Sequence, residues 1–192
     1  MVAGTLGILL AVIGLFVVAI VALVAWVIKG QNNLVHSDEL CGNSLSQIGV
    51  QQASRWDALS ALADLAKAYS DQEYKTLMDV IAARQGITPK SSAQEVDRQE
   101  GMIQQALGRI SALAEAYPEL KSNSVYLKAM DSVHSYEENV RISRMVYNDS
   151  VTTYNRLVRS LPGSFLAGGL GFSVREYLAD DPAKASMPSM LR

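Results

Sequence analysis

The sequence contains one cysteine, Cys41, and two histidines, His36 and His134. A single thiol can neither close an intramolecular disulfide nor build a cysteine-based zinc site. The histidines lie far apart and outside any HExxH spacing, so no metal is expected. Basic residues do not dominate either: 17 Lys and Arg stand against 19 Asp and Glu, a net charge of -2, which argues against a nucleic-acid partner. No stretch alternates apolar and polar residues as a half-buried strand would. GGLGF (168–172) follows no strand and is not a dinucleotide fingerprint, so no cofactor is expected. With no histidine beside a carboxylate and no activated nucleophile, no catalytic residue and no enzyme activity are expected.

The longest absence is of charge. From Val2 to Ile28 no side chain is ionisable in the acid–base range of Asp, Glu, Lys or Arg. At 1.5 Å per residue such a helix reaches roughly 40 Å, beyond the ~30 Å hydrocarbon core of a bilayer, so it must tilt or enter the interface. Trp26 and Lys29 suit that boundary. A cleaved signal peptide would need a basic n-region and a shorter apolar run, and a lipoprotein would not hold its cysteine as far on as Cys41. Residues 1–30 are therefore expected to be a retained transmembrane anchor, in contact with membrane lipid. Gly4, Gly7, Ala11 and Gly14 share one face of it, a small-residue stripe of the kind that packs helices in lipid, which predicts a homo-oligomer. Lys29 follows the anchor and nothing basic precedes it. The amino terminus is thus expected outside and the rest in the cytoplasm of a cell membrane.

Beyond residue 30 the pattern is helical. Serine followed three residues later by glutamate, a helix-start signal, occurs at Ser70/Glu73, Ser92/Glu95 and Ser173/Glu176; Ser135/Glu138 lies inside an unbroken stripe and is set aside. Stops come at Gly86 with Pro89, at Tyr117-Pro118 and at Pro162-Gly163. Helices are expected near 31–69, 71–85, 92–116 and 120–161. The fold class is all-α: a transmembrane helix, then an antiparallel up-down four-helix bundle over 31–162. Residues 163–192 would form a glycine-rich turn, a short tail helix and a flexible tail. The last long helix shows an inward stripe of Tyr126, Met130, Val133, Glu137, Val140, Arg144, Tyr147, Val151, Tyr154, Val158 and Leu161, stepping by threes and fours. The first shows Leu45, Ile48, Arg55, Leu59 and Leu62. Charges on such stripes are costly unless paired.

EAYPELKSNSVYL (115–127), YNDSVTTYN (147–155) and Pro162 resemble the LemA family of bacterial membrane-anchored proteins, and AKAYSDQE (66–73) and VIAAR (80–84) extend the likeness over most of 31–172. The family's characteristic positions are carried by Arg55, Asp57, Glu73, Arg84, Glu115, Tyr117, Pro118, Leu120, Lys121, Asn123, Glu137, Arg144, Tyr147, Asn148, Tyr154, Asn155 and Pro162. The first helix departs from the pattern. Where the family reads IDVQLxRRxDLIPNL, this chain reads IGVQQASRWDALSAL, with Ser60 and Ala61 in place of Pro-Asn, so this helix is expected to run straighter. A Tyr-Asn pair near the membrane is half lost, as Gln31-Asn32. The resemblance implies a helical bundle behind an anchor with its amino terminus outward. It also implies links to membrane organisation, magnetosomes included, and to membrane proteases.

Arg55, Asp57, Glu73, Arg84, Glu137 and Arg144 are expected to form a structural ion-pair layer, since carboxylates beside arginines stay ionised and serve poorly as general acids. QNNLV (31–35) and YNRLV (154–158) would both lie near the membrane end. FLAGGLGF (165–172) is too short to span; it either packs on the base of the bundle or dips into the interface. Two functions fit: a non-enzymatic scaffold that self-associates and organises the bilayer, or an adaptor whose groove binds a membrane protein such as a protease.

Overall fold

No proline occurs before Pro89, so nothing between Lys29 and Ala66 stops a helix except glycines, each weakening it by about 1 kcal/mol against alanine. In the computed structural model, which describes residues 2–161 and 163–179, helix α1 accordingly runs unbroken from Val2 to Ala66. The expected anchor and the expected first bundle helix are one element. The helix also continues through Ser60 and Ala61, where the Ser60 hydroxyl donates back to the Trp56 carbonyl at 2.9 Å. There follow α2 (Asp71–Ala82), α3 (Ala93–Ala116), the single turn α4 (Pro118–Lys121), α5 (Ser124–Arg159) and α6 (Gly163–Leu170). Among the described residues there is no strand. The stop assigned to Pro162 and the tail beyond 179 lie outside the described residues.

The helix starts have local causes. The Ser70 hydroxyl accepts from the Glu73 N–H to begin α2, and at α3 the box is complete: Ser92 accepts from the Glu95 N–H while the Glu95 carboxylate takes the Ser92 N–H. Ser173/Glu176 starts no helix, which corrects the expectation drawn from that pair. The short helix lies upstream, on the glycine-rich stretch itself. It ends where Gly171 adopts φ 78 and the Phe172 N–H reaches back to the Ala167 carbonyl at 3.0 Å, a left-handed termination that suits glycine.

The chain divides into two units, Met1–Glu39 with Thr153–Arg175, and Leu40–Thr152 with Glu176–Arg192. In the second, four long helices and the single turn α4 share one core. Trp56, Leu59, Leu62, Ala63 and Ala66 of α1 meet Leu77 and Ile81 of α2, Ile103, Ala106, Ile110, Leu113 and Ala114 of α3, Leu120 of α4, and Tyr126 and Val133 of α5. Each large aliphatic side chain so buried stabilises the fold by roughly 1.5–3 kcal/mol. The α2–α3 connection lies on α1 at Gly49, where any side chain would begin 2.6 Å from the Ile87 carbonyl oxygen. In the first unit, the apolar residues of α1 from Val12 to Trp26 stand open, Phe16 at 67% and Leu15 at 73% exposed. A helix this long and apolar with no packed face is long and apolar enough to cross a membrane. Leu166 of α6 sits against Gly30, and Ala167 is buried beside it.

Candidate functional site

The charged residues of the bundle pair in places the inward stripes do not announce. Arg55 is completely buried, and its Nη1 donates to both Glu100 oxygens, at 2.9 and 2.7 Å. The Glu100 side chain is 24% exposed, and Gln52 Nε2 reaches its second oxygen at 3.5 Å. Around this pair Arg55 Nε and Nη2, Gln52 Oε1 and both ends of the Gln99 amide are buried with no hydrogen-bond partner among the described residues. The seam is thus deeply placed but under-satisfied, an uncommon state for buried polar atoms.

The other residues expected in one layer fall into separate pairs. Asp57 and Arg84 meet at 3.4 Å, well exposed; Glu73 faces Arg109 at 3.5 Å; Glu137, 43% exposed, faces His134 at 3.8 Å. Glu137 is therefore a surface charge, because its long side chain leans out of the stripe toward water. Arg144, 14% exposed, donates from Nη2 to Asp97 and to the Ala179 carbonyl, both at 2.7 Å. Only Asp57 and Arg84 of the six meet one another.

Glu100, Asp97 and Gln99 were not singled out by sequence. The signal for them was present: Val96, Gln99, Ile103, Ala106, Ile110 and Leu113 step by threes and fours on α3, placing Gln99 inward and its neighbours at the seam's edge.

The Tyr-Asn pairs of α5 hold residues 173–178 by the main chain. In the first unit the Tyr154 hydroxyl donates to the Ser173 carbonyl at 2.8 Å. The Asn155 amide closes a two-point ring with Arg175, donating to its carbonyl and accepting its N–H, both at 2.9 Å. Arg175 then donates through Nε to Asp38 at 2.8 Å and lies 5.9 Å over the Tyr154 ring. In the second unit Tyr147 donates to the Glu176 carbonyl at 3.0 Å, and Asn148 makes the same ring with Leu178 at 3.2 and 3.0 Å. These bonds explain why Ser173 begins no helix: the backbone groups that a first turn would use are held by α5.

The segment EAYPELKSN is a reversal. Tyr117 ends α3 in an extended conformation, its N–H on the Leu113 carbonyl, and Pro118 opens α4 where its missing N–H costs nothing. Leu120 plugs the core, and the Asn123 side chain caps α5 by accepting the Val125 and Tyr126 N–H groups at 2.8 and 3.4 Å. Tyr117 meets the Tyr69 ring at 5.5 Å. Burial, with the Glu115 charge adding to it, raises the Tyr126 hydroxyl above its ordinary value. Lys121 is exposed. On the membrane helix, nothing lies within 4 Å of where a Cβ would stand at Gly7 or Gly14. Gly4 and Ala11 belong to α1, but their surroundings lie outside the described residues. Cys41 is buried, and among the described residues no three of His, Cys, Asp and Glu gather to hold a metal.

Set beside known proteins, the sequence model of the LemA family matches residues 44–190, most of the chain, including the Arg55 seam, the Tyr-Asn pairs of α5 and the reversal just described. The chain belongs to the LemA family. Three curated relatives share one stretch with this LemA-family chain. They are the magnetosome proteins MamQ 1 and MamQ 2 of Paramagnetospirillum magneticum and the magnetosome protein MamQ of Magnetospirillum gryphiswaldense, each 34% identical over 84 residues. That stretch covers 44% of this chain but only 31% of each relative, so the chain matches less than a third of their length.

Proposed function

We propose that this LemA-family protein is a non-enzymatic, membrane-anchored scaffold, which self-associates through α1 and organises the bilayer around it. The observation that carries this reading is the membrane helix. Its described apolar residues from Val12 to Val24 are exposed, and Gly7 and Gly14 leave open space for the close approach that joins helices in lipid. The domain behind it fits the same role, since its buried and half-buried charges brace one helix against another. The naming of the relatives as magnetosome proteins supports a part in building membrane compartments. Lys29 favours an outward amino terminus and a cytoplasmic helical domain; protease protection of an amino-terminal tag in spheroplasts would overturn that sidedness. For self-association, Gly7→Leu with Gly14→Leu should keep the helix inserted while shifting native-mass or cross-linking profiles to smaller species. A wild-type chain already monomeric in bilayers would defeat the scaffold reading.

One observation favours the second reading, an adaptor that seats a segment of a membrane protein. A cleft of about 330 Å³ opens between α1 and the α2–α3 connection, lined by Gln52, Trp56, Asp57, Arg84 and Ile87. An adaptor would stay small until its partner arrived.

A further inference from the structure

Residues 160–174 carry no charged side chain, and α6 lies within them, bracketed by Arg159 and Arg175. One side of α6 is settled: Leu166 occupies the space beside Gly30 that a side chain would need, and Ala167 is 2% exposed. Gly30 directly follows Lys29, where the apolar run of α1 ends. The first unit therefore holds α6 at the level where the membrane helix leaves the hydrocarbon. The other side of α6 is bare. Phe165 is 77% exposed and Leu161, just before the helix, 72%; Leu170 is 44% exposed, and Gly168 and Gly169 lie open beside Phe165. A helix on a water-facing surface turns polar residues outward. This one turns out an aromatic ring and glycines. Immediately before it, Arg156 and Arg159 form the exposed basic end of α5.

We infer that α6 is a second membrane contact, lying in the headgroup–acyl boundary of the bilayer that α1 crosses. Phe165 and Leu161 enter the boundary, and Arg156 and Arg159 face the phosphates of anionic lipids. An interfacial helix buries its apolar face only about 5–10 Å into that boundary, so it need not span the bilayer, and cations beside it add attraction to anionic lipid. Here Arg156 and Arg159 of α5 supply them. Lipid fits this face better than a second copy of the chain. A stable protein interface takes about 800 Å² from each partner, and three apolar side chains, Leu161, Phe165 and Leu170, fall far short. The inference rests on α1 as the anchor but not on self-association, so it stands or falls separately from the scaffold reading.

The test uses the full-length chain in vesicles of phosphatidylcholine with phosphatidylglycerol. An environment-sensitive fluorophore is placed by Phe165→Cys in a Cys41→Ala background, with Lys75→Cys on exposed α2 as reference. At 165 the emission should be blue-shifted against the reference, and quenched more by lipids spin-labelled high on the acyl chain than by those labelled near its end. Arg156→Glu with Arg159→Glu should release α6 from phosphatidylglycerol vesicles, by roughly fivefold per charge, and change little on phosphatidylcholine alone. Water-like emission at 165, unquenched by any spin-labelled lipid, would overturn the inference. So would a blue shift that no lipid quenches and that dilution of protein in lipid abolishes, which would assign the face to a second copy. On the unmodified chain, a phospholipid bearing a diazirine high on its acyl chain should tag residues 161–170, and adducts confined to α1 would overturn the inference even if the labelled variants misfold.

Discussion

The Arg55 seam of the second unit and the Asn155 clamp of the first are both buried polar arrangements, yet they are satisfied in opposite ways. At the seam a guanidinium without solvent access uses one nitrogen on a carboxylate, while its other donors and the neighbouring Gln99 amide meet no partner among the described residues. At the clamp a neutral amide spends both its donor and its acceptor on a single peptide unit. Charge without full coordination leaves a site dependent on its one counter-charge, whereas a closed amide ring is a local, modest gain.

The contrast can be broken most sharply at the seam, by choosing which partner to remove. Glu100→Ala strands a fully buried cation and should destabilise the domain by about 3–5 kcal/mol, read from chemical denaturation in mild detergent. Arg55→Met fills the same space and leaves only Glu100, which can reach water, so it should be far milder. Equal losses from the two would show that the seam is hydrated rather than dry. The clamp should answer more weakly. Asn155→Ala removes both bonds to the Arg175 peptide groups, for about 1–3 kcal/mol, and should raise hydrogen exchange across 172–175. Unchanged exchange there would mean that Asn155 does not hold the segment in solution. Smallest of all, Glu137→Ala should change stability by no more than about 0.5 kcal/mol, as surface positions do. A loss near that of Glu100→Ala would place Glu137 inside after all.

The helices were readable because their signals are local: Ser92 with Glu95, the Pro118 reversal and the stripe Val133, Val140, Tyr147, Val151 and Tyr154 all act within a turn or two. Arg55 was readable as inward, but its partner was not, because Glu100 depends on how α3 is set against α1. The stripe misled where its side chains could leave it. Glu137 extends outward. The stripe misled again where the helix stops, since α5 ends at Arg159 and Leu161, expected inside, lies past it and is 72% exposed. Residues 173–178 were least legible. Tyr147, Asn148, Tyr154 and Asn155 could be quoted as a family pattern, yet bonds from side chains to a distant main chain have no period, and the Ser173/Glu176 spacing pointed to a helix instead.

The main-chain character of those bonds bears on how this protein can drift in evolution. Tyr147, Asn148, Tyr154 and Asn155 recognise peptide groups, which every residue carries. Selection acting through these four would therefore fix the letters on α5 and place no demand of its own on the side chains of 173–178. The exceptions are identifiable: the Glu176 carboxylate accepts from Gln94, and the Tyr177 hydroxyl accepts from Thr152 at 3.4 Å. Proline is barred at 175 and 178, where an N–H is needed. Arg175 answers to Asp38, and Leu178 to its own burial. A strict pattern on the helix facing a permissive one on the segment it holds is the mark by which this arrangement should be traceable across related chains.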